Sequence, residues 1–250
     1  MLLIDIGNSR IKWAYTSNGR LVDHGAAMVS ESAEALPESA TTAWIKRQSS
    51  RVAIADVFGG GVVQHLCDWF QARWGVSPEV ARVTRDALGV RTLYREPVRL
   101  GVDRWLALLA VRDRAPVGVV NCGTAITIDV LDHQLIHRGG LILPGVALQR
   151  ASLLQRSSGI RLGYEDGEAV EWDGLLGCDT TECVTGDTLR AAAGGIARSV
   201  AQISARFESI TWIMTGGDGP LLNRALTNQF EYAPDLVLRG LLDVVDGRWE

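Results

Sequence analysis

Several things are scarce in this chain, and each scarcity removes a class of protein. No apolar run approaches the ~18 residues of a membrane helix, so no membrane-spanning segment is expected. No block of lysine and arginine stands out, and charges of both signs are mixed along a chain of net charge −4. A nucleic-acid binder needs a basic patch or stripe, so nucleic acid is not an expected partner. Four cysteines, Cys67, Cys122, Cys178 and Cys183, form no C-x-x-C pair. That argues against zinc and for reduced, mostly buried thiols in a cytosolic protein. An apolar strand starting at Leu2 leaves no room for a signal peptide, so the expected location is the cytoplasm. His133 and His137 fall in a strand-like segment and read as surface histidines, not metal ligands. An anionic substrate must therefore be met by a few local cations.

What is present suffices for sizeable cores, since 47% of the 250 residues are hydrophobic. That length fits one large domain or two of roughly 110–140 residues. An internal repeat favours two. Leu2-Leu3-Ile4-Asp5-Ile6-Gly7-Asn8-Ser9-Arg10-Ile11-Lys12-Trp13 and Val119-Val120-Asn121-Cys122-Gly123-Thr124-Ala125-Ile126-Thr127-Ile128 share one plan. Each is an apolar strand, a carboxylate or amide, a glycine two residues on, a small polar residue and a second strand. The likeness continues through Asn18-Gly19 and Asp132-His133, turn signals that precede a third strand. The expected domains are 1–115 and 116–250, with the break near Ala115-Pro116.

Strand and helix patterns alternate throughout. Helices are expected over Ser32 to Gln48 with a break near Pro37, Val62 to Trp74 after Gly59-Gly60-Gly61, and Asp103 to Arg114. Others fall near Val146 to Gln155, Thr180 to Phe207 and Pro220 to Asn228, with strands over Arg51 to Phe58, Pro78 to Val83 and Thr211 to Thr215. This alternation argues an α/β fold with mixed sheets.

Several positions carry chemistry. Gly7 and Gly123 permit a tight turn and close approach of a ligand to the backbone, while Asn8, Ser9 and Thr124 add short donors. Two such hairpins suit the phosphates of a nucleotide, which makes nucleotide-dependent phosphoryl transfer the leading reading. Asp5, at the end of a buried strand, needs a partner; it either caps the turn or orients Mg²⁺ beside the transferring phosphate. Lys12 either reaches a phosphate or points into solvent. Gly216-Gly217-Asp218-Gly219 joins a strand to a helix, a junction that lets adenine or ribose lie flat and favours anions at the helix start. In Leu100-Gly101-Val102-Asp103-Arg104-Trp105, Asp103 stands where a helix N-cap is expected. Capping would leave it a weak base, yet phosphoryl transfer depends more on positioning than on base strength. Arg104 suits either a substrate carboxylate or a surface ion pair.

With these motifs assembled, the chain resembles the type III pantothenate kinases of the acetate and sugar kinase, Hsp70 and actin superfamily. Asp5-Ile6-Gly7-Asn8-Ser9 is similar to that family's first phosphate motif and Gly123-Thr124-Ala125 to its second. Gly101-Val102-Asp103-Arg104 resembles its pantothenate motif, and Gly216-Gly217-Asp218 its adenosine motif. The resemblance implies two ribonuclease-H-like domains, ATP with Mg²⁺, and a homodimer. It implies that Asp103 takes the proton of the pantothenate hydroxyl, with Tyr94, Gly101, Val102, Arg104 and Thr180 as further substrate contacts. Asp5 through Lys12, Thr124, Gly216 and Gly217 would serve ATP, and the product would be 4′-phosphopantothenate on the way to coenzyme A. Where the family carries an aspartate that helps bind an activating monovalent cation, this chain has Asn121. Weaker or altered dependence on K⁺ or NH₄⁺ is therefore expected. The alternatives are another kinase or phosphatase of the superfamily, or an ATP-binding regulatory protein without turnover.

Overall fold

The computed structural model describes residues 1–29, 36–57, 61–163 and 175–247. Strands β1 (Leu2–Ile6), β2 (Arg10–Ser17) and β3 (Arg20–Met28) come first, then α1 (Glu38–Lys46), β4 (Val52–Asp56) and α2 (Val62–Trp74). They are followed by β5 (Glu79–Val80), β6 (Asp86–Ala87), β7 (Val90–Thr92) and α3 (Val102–Leu109). Next are β8 (Val117–Cys122), β9 (Ala125–Leu131), β10 (Ile136–Pro144), α4 (Val146–Arg156), α5 (Ser158–Gly163) and α6 (Thr180–Ser204). Last come β11 (Thr211–Thr215), α7 (Gly219–Ala225), β12 (Glu231–Tyr232) and α8 (Leu236–Asp246).

Two compact units result. The first holds Met1–Ala115, Leu131–Gly139 and Asp235–Glu250; the second holds Pro116–Val130 and Gly140–Pro234. A single cut after Ala115 thus misses two returns to the first unit: the turn between β9 and β10, and α8. The first sheet runs β3-β2-β1-β4-β5, and the second unit repeats that order as β10-β9-β8-β11-β12. β1 is antiparallel to β2 and parallel to β4, while β8 is parallel to β11, and β11 to β12. This is the α/β fold of two ribonuclease-H-like repeats with mixed sheets. At the start of β10, Ile136 and His137 pair with Arg91 and Thr92 of β7 inside the first unit.

Local chemistry explains the turns. Asn18 and Gly19 both take positive φ, 50° and 70°, the backbone a two-residue type I′ hairpin requires. In the later turn the Asp132 carboxylate accepts the N–H groups of Gln134 and Ile136, each at 2.9 Å, an Asx turn that reverses the chain. The first core is built around aromatic rings: Trp44 lies 5.7 Å from Trp13 and 5.5 Å from Phe70. The second core joins Ile126 and Ile128 to Ile196, Met214 and Leu222.

Some expectations need correction. The helix expected over Asp103 to Arg114 ends at Leu109 and is followed by a separate 3-10 turn, Arg112–Arg114. The Arg112 guanidinium donates to the Leu109 carbonyl at 2.6 Å and pairs with Asp243 at 2.6 Å, satisfying the helix end that a longer helix would have continued. Helix α8 has no counterpart in the sequence reading, because Gly240 interrupts its apolar stripe. A Cβ on Gly240 would lie 1.9 Å from the Leu106 carbonyl oxygen, so α8 and α3 cross at a distance only glycine permits. The first residues of the Ser32 to Gln48 helix, together with Phe58 and Gly59-Gly60, lie outside the described residues; α1 begins after Pro37 and Gly61 caps α2. The thiols are less buried than expected: Cys178 and Cys183 are exposed, Cys122 is buried, and all four cysteines are free. Among the described residues no helix is long and apolar enough to cross a membrane.

Candidate active site

In the first unit the site grows from the β1–β2 hairpin. Asp5 and Lys12 are direct cross-strand partners, so their side chains share one face of the sheet. Lys12 is half-buried, and its charge acts on the Asp5 carboxylate. Burial pushes the Asp5 carboxyl up to about 7; Lys12 pulls it back, while the charges of Asp103, Asp235 and Asp56 push it further. Three elements thus converge on Asp5: the end of β4 with Asp56, the start of α3 with Asp103, and Asp235 before α8. Asp235 holds a left-handed backbone, φ 62°, and meets the His24 ring at 3.1 Å. A desolvated aspartate facing further carboxylates suits a hard divalent cation. Among the described residues no group of three or more acidic, histidine or cysteine side chains forms a closed metal cage. Asn8 and Ser9 form the exposed tip of the turn, and Gly7 donates to the Arg10 carbonyl at 2.9 Å.

Asp103 is not the cap of α3. Gly101 is the N-cap, makes no side-chain capping bond, and leaves Asp103 in the first turn. A Cβ on Gly101 would stand 2.6 Å from Asp103 Oδ1. The carboxylate is therefore folded back over the one residue that leaves it room. Val102 is buried beside it. Arg104, read as either a substrate-carboxylate contact or a surface ion pair, is buried, which removes the surface alternative; its guanidinium carbon lies 5.7 Å from the centre of the Tyr94 ring.

Tyr94 has a second ring neighbour that sequence reading missed. His137, expected at the surface, is fully buried and lies parallel to Tyr94, ring centres 6.3 Å apart and planes 7° apart. Its Nδ1 is 2.9 Å from the Thr92 hydroxyl, which also accepts the Tyr94 N–H at 3.1 Å. Only the pairing of β7 with β10 brings His137 here, and local sequence carries no sign of it. His133 is exposed, as expected. A cavity of about 310 Å³ opens beside Tyr94, lined also by Leu93, Arg95, Glu96 and Arg99.

The second unit gathers the uncharged candidates. Asn121 is half-buried and pairs with Thr215 across β8 and β11. Thr124 is exposed at the β8–β9 turn, where Gly123 donates to the Ala125 carbonyl at 3.1 Å. Gly145, absent from the sequence reading, donates to the Thr124 carbonyl at 3.0 Å and so ties that turn to the start of α4. Gly216 has φ 94°, and a Cβ there would fall 2.2 Å from the Cys122 carbonyl oxygen; here glycine is obligatory. Gly7 and Gly123 sit in their turns without positive φ, whereas Gly216 requires it. Gly217 has open space around it. The Asp218 N–H donates to the Cys122 carbonyl at 3.1 Å, and burial with the Asp218 charge pushes the Cys122 thiol up to about 12, leaving it inert. Thr180 is the first residue of α6. Before it the N-cap Asp179 accepts the Glu182 N–H at 2.8 Å, and Glu182 accepts the N–H of the preceding Cys178 at 2.7 Å, so the helix start is capped from both sides.

The repeated strand order is the duplicated α/β fold seen in actin-like ATPases and sugar kinases. Solved structures share that fold. A Sinorhizobium meliloti protein described as a 2-dehydro-3-deoxygalactonokinase aligns with TM-score 0.62 and 12% identity over 99% of this chain and 96% of its own. The activator of the 2-hydroxyisocaproyl-CoA dehydratase from Clostridium difficile, solved with ADPNP bound, aligns with TM-score 0.51 and 12% identity over 98% and 94%. Sequence comparison goes further. The family model for type III pantothenate kinase matches residues 1–202. The type III pantothenate kinase of Nitrosococcus oceani is 38% identical over 98% of this chain and 93% of its own. That of Methylibium petroleiphilum is 33% identical over 99% of both. The chain belongs to the type III pantothenate kinase family.

Proposed function

We propose that this protein transfers the γ-phosphoryl group of ATP to the hydroxyl of pantothenate, giving ADP and 4′-phosphopantothenate for coenzyme A synthesis. The observation that carries the reading is Asp103. Its carboxylate is folded over Gly101 rather than serving as a cap, and it stands within electrostatic reach of Asp5. Asp103 accepts the hydroxyl proton as that oxygen attacks the γ-phosphorus. Tyr94, Gly101, Val102, Arg104 and Thr180 hold the acceptor. Buried Arg104 offers a planar fork for a carboxylate, which a hydrated lysine would do less well. Gly7, Asn8, Ser9, Lys12, Thr124, Gly216 and Gly217 serve the nucleotide. Asp5 would hold Mg²⁺, directly or through water, and the ion would supply charge neutralisation for the transferring phosphate.

The same reading includes a cytoplasmic homodimer. In the second unit Leu141, Ile142, Leu148, Leu175 and Leu176 are large apolar side chains left exposed, as a self-association surface requires. Light scattering that returned a monomer would remove this part. Asn121 keeps an oxygen ligand without charge, so activation by K⁺ or NH₄⁺ is weak. The test is phosphorylation of pantothenate by the purified protein with ATP and Mg²⁺, first in Na⁺ and then with K⁺ or NH₄⁺ added. Product supports the function; no product in any salt, with ATP still bound, refutes it. A K⁺ activation constant and fold-stimulation equal to those of Asn121→Asp would refute the cation reading alone.

A further inference from the structure

We propose that Arg85 is a positioning residue for the acceptor substrate, acting through the 92–95 segment that carries Tyr94. Its side-chain hydrogen bonds all go to main-chain carbonyls. Nη1 donates to Thr92 at 3.0 Å and to Tyr94 at 2.6 Å, and Nη2 donates to Arg95 at 3.0 Å. The Arg85 carbonyl in turn accepts the Thr92 N–H at 3.0 Å. One residue thus grips both the start and the outer edge of this segment.

The segment needs such a grip. It leaves the sheet after β7, and beyond Thr92 its own main-chain support is the Leu93 N–H to the His137 carbonyl, 3.1 Å, with the Tyr94 N–H on the Thr92 hydroxyl, 3.1 Å. Those bonds engage N–H groups only. The carbonyls of Tyr94 and Arg95 face Arg85, and a guanidinium is the side chain that serves three carbonyls from one planar, permanently charged fork. The held segment supplies the Tyr94 ring, set between its contacts with buried Arg104 and buried His137, and the wall of the cavity formed with Leu93, Arg95, Glu96 and Arg99. Arg85 itself is exposed and does not line that cavity. It acts on the substrate through the segment alone.

This inference rests on the pantothenate reading of the same site, and the experiment separates the two. Arg85→Met keeps the stem and removes the fork. The expected result is a rise of about tenfold or more in the pantothenate KM, since small displacements of a positioning group carry such penalties. The ATP KM stays within about twofold, because no nucleotide contact changes. Hydrogen exchange at the amides of residues 93–96 quickens in the same variant. An unchanged pantothenate KM overturns the proposal, whatever happens to exchange. So does an equal loss through kcat, both KM values and thermal midpoint, which marks Arg85 as merely structural. If Arg85→Met does not fold, Arg85→Lys decides: a point charge cannot bridge three carbonyls, so its pantothenate KM must exceed wild type by more than about twofold. Wild-type protein that makes no phosphopantothenate removes the function, and this role with it; active wild type beside an indistinguishable Arg85→Met removes this role alone.

Discussion

The two units repeat one strand order yet dispose their charges differently. Where the first has Asp5 two residues before Gly7, the second has Asn121 two residues before Gly123. On the neighbouring parallel strands, Asp56 stands opposite Ile6, while Thr215 stands opposite Asn121 and is followed by Gly216. Lys12 faces Asp5 across the first hairpin. The first unit thus concentrates ionisable groups, at the cost of burying a carboxylate. The second offers amides, a hydroxyl and bare backbone, and admits a glycine so tight that no side chain fits. If the proposed function holds, charge handling falls mainly to one copy and close backbone contact to the other, with Asp218 the charge beside the second unit's glycine turn.

Removing the charged chemistry has the largest expected effect. Asp103→Ala lowers kcat by about 10²–10⁴, the range for a lost general base, while ATP affinity measured by calorimetry stays at the wild-type value. Wild-type turnover in that variant would take Asp103 out of the reaction. Asp5→Asn shifts a different observable, the Mg²⁺ dependence of ATP use, because its carboxylate is assigned to the metal side. An Mg²⁺ titration superimposable on wild type returns Asp5 to the turn-capping role.

The neutral unit is tested by steric means. Gly216→Ala forces a Cβ onto the Cys122 backbone at positive φ and is expected to destabilise the fold by about 2–4 kcal/mol. Gly123→Ala meets its nearest neighbour, the Ala125 carbonyl, at an ordinary 3.7 Å, and costs less than about 1 kcal/mol. Denaturant unfolding of the two variants checks the ordering. Equal losses would mean that the glycines of this unit are not distinguished by backbone approach.

Much of this architecture was readable from residues alone, and what escaped shares a cause. Both hairpins, β11 and most of α4 follow local signals: turn dipeptides, alternation and apolar runs. The misses depend on partners distant in the chain. α3 stops where Arg112 meets Asp243, and α8 hides its helix behind Gly240 because the reason for that glycine is the Leu106 carbonyl. Asp103 reads as a cap only until Gly101 takes that place. Within the site, Asp5, Lys12 and Asp103 come from sequence motifs. His137 and Arg85 do not, because their importance lies in contacts made by β7 and the segment after it, which no spacing rule encodes. Asp235 and Asp56 escape for a similar reason: each is an ordinary loop or strand-end aspartate until the fold sets it beside Asp5.

That gathering of carboxylates has a measurable consequence for stability without nucleotide or Mg²⁺. The folded pKa of Asp5, about 7, lies above its ordinary 3.8, so the folded state binds this proton more tightly than the unfolded state does. Stability from this group is fully present below about pH 4 and is lost as pH rises through 7. A tenfold difference in proton affinity between the two states is worth about 1.4 kcal/mol; because Asp5 keeps some solvent contact, a loss of about 2 kcal/mol across that window is expected. Asp5→Asn cannot ionise and should show a flatter profile, gaining on wild type as pH rises from 4 to 8. Asp132 contributes with the opposite sign: burial pushes its carboxyl up, but the hydrogen bonds it accepts from Ile136, Arg138 and Gln134 together outweigh burial and hold it low. It does so equally in both proteins and cancels in the difference. Unfolding free energies at pH 5 and 8 therefore suffice: parallel lines for the two proteins would show that the Asp5 carboxylate is not held in a desolvated, like-charged setting.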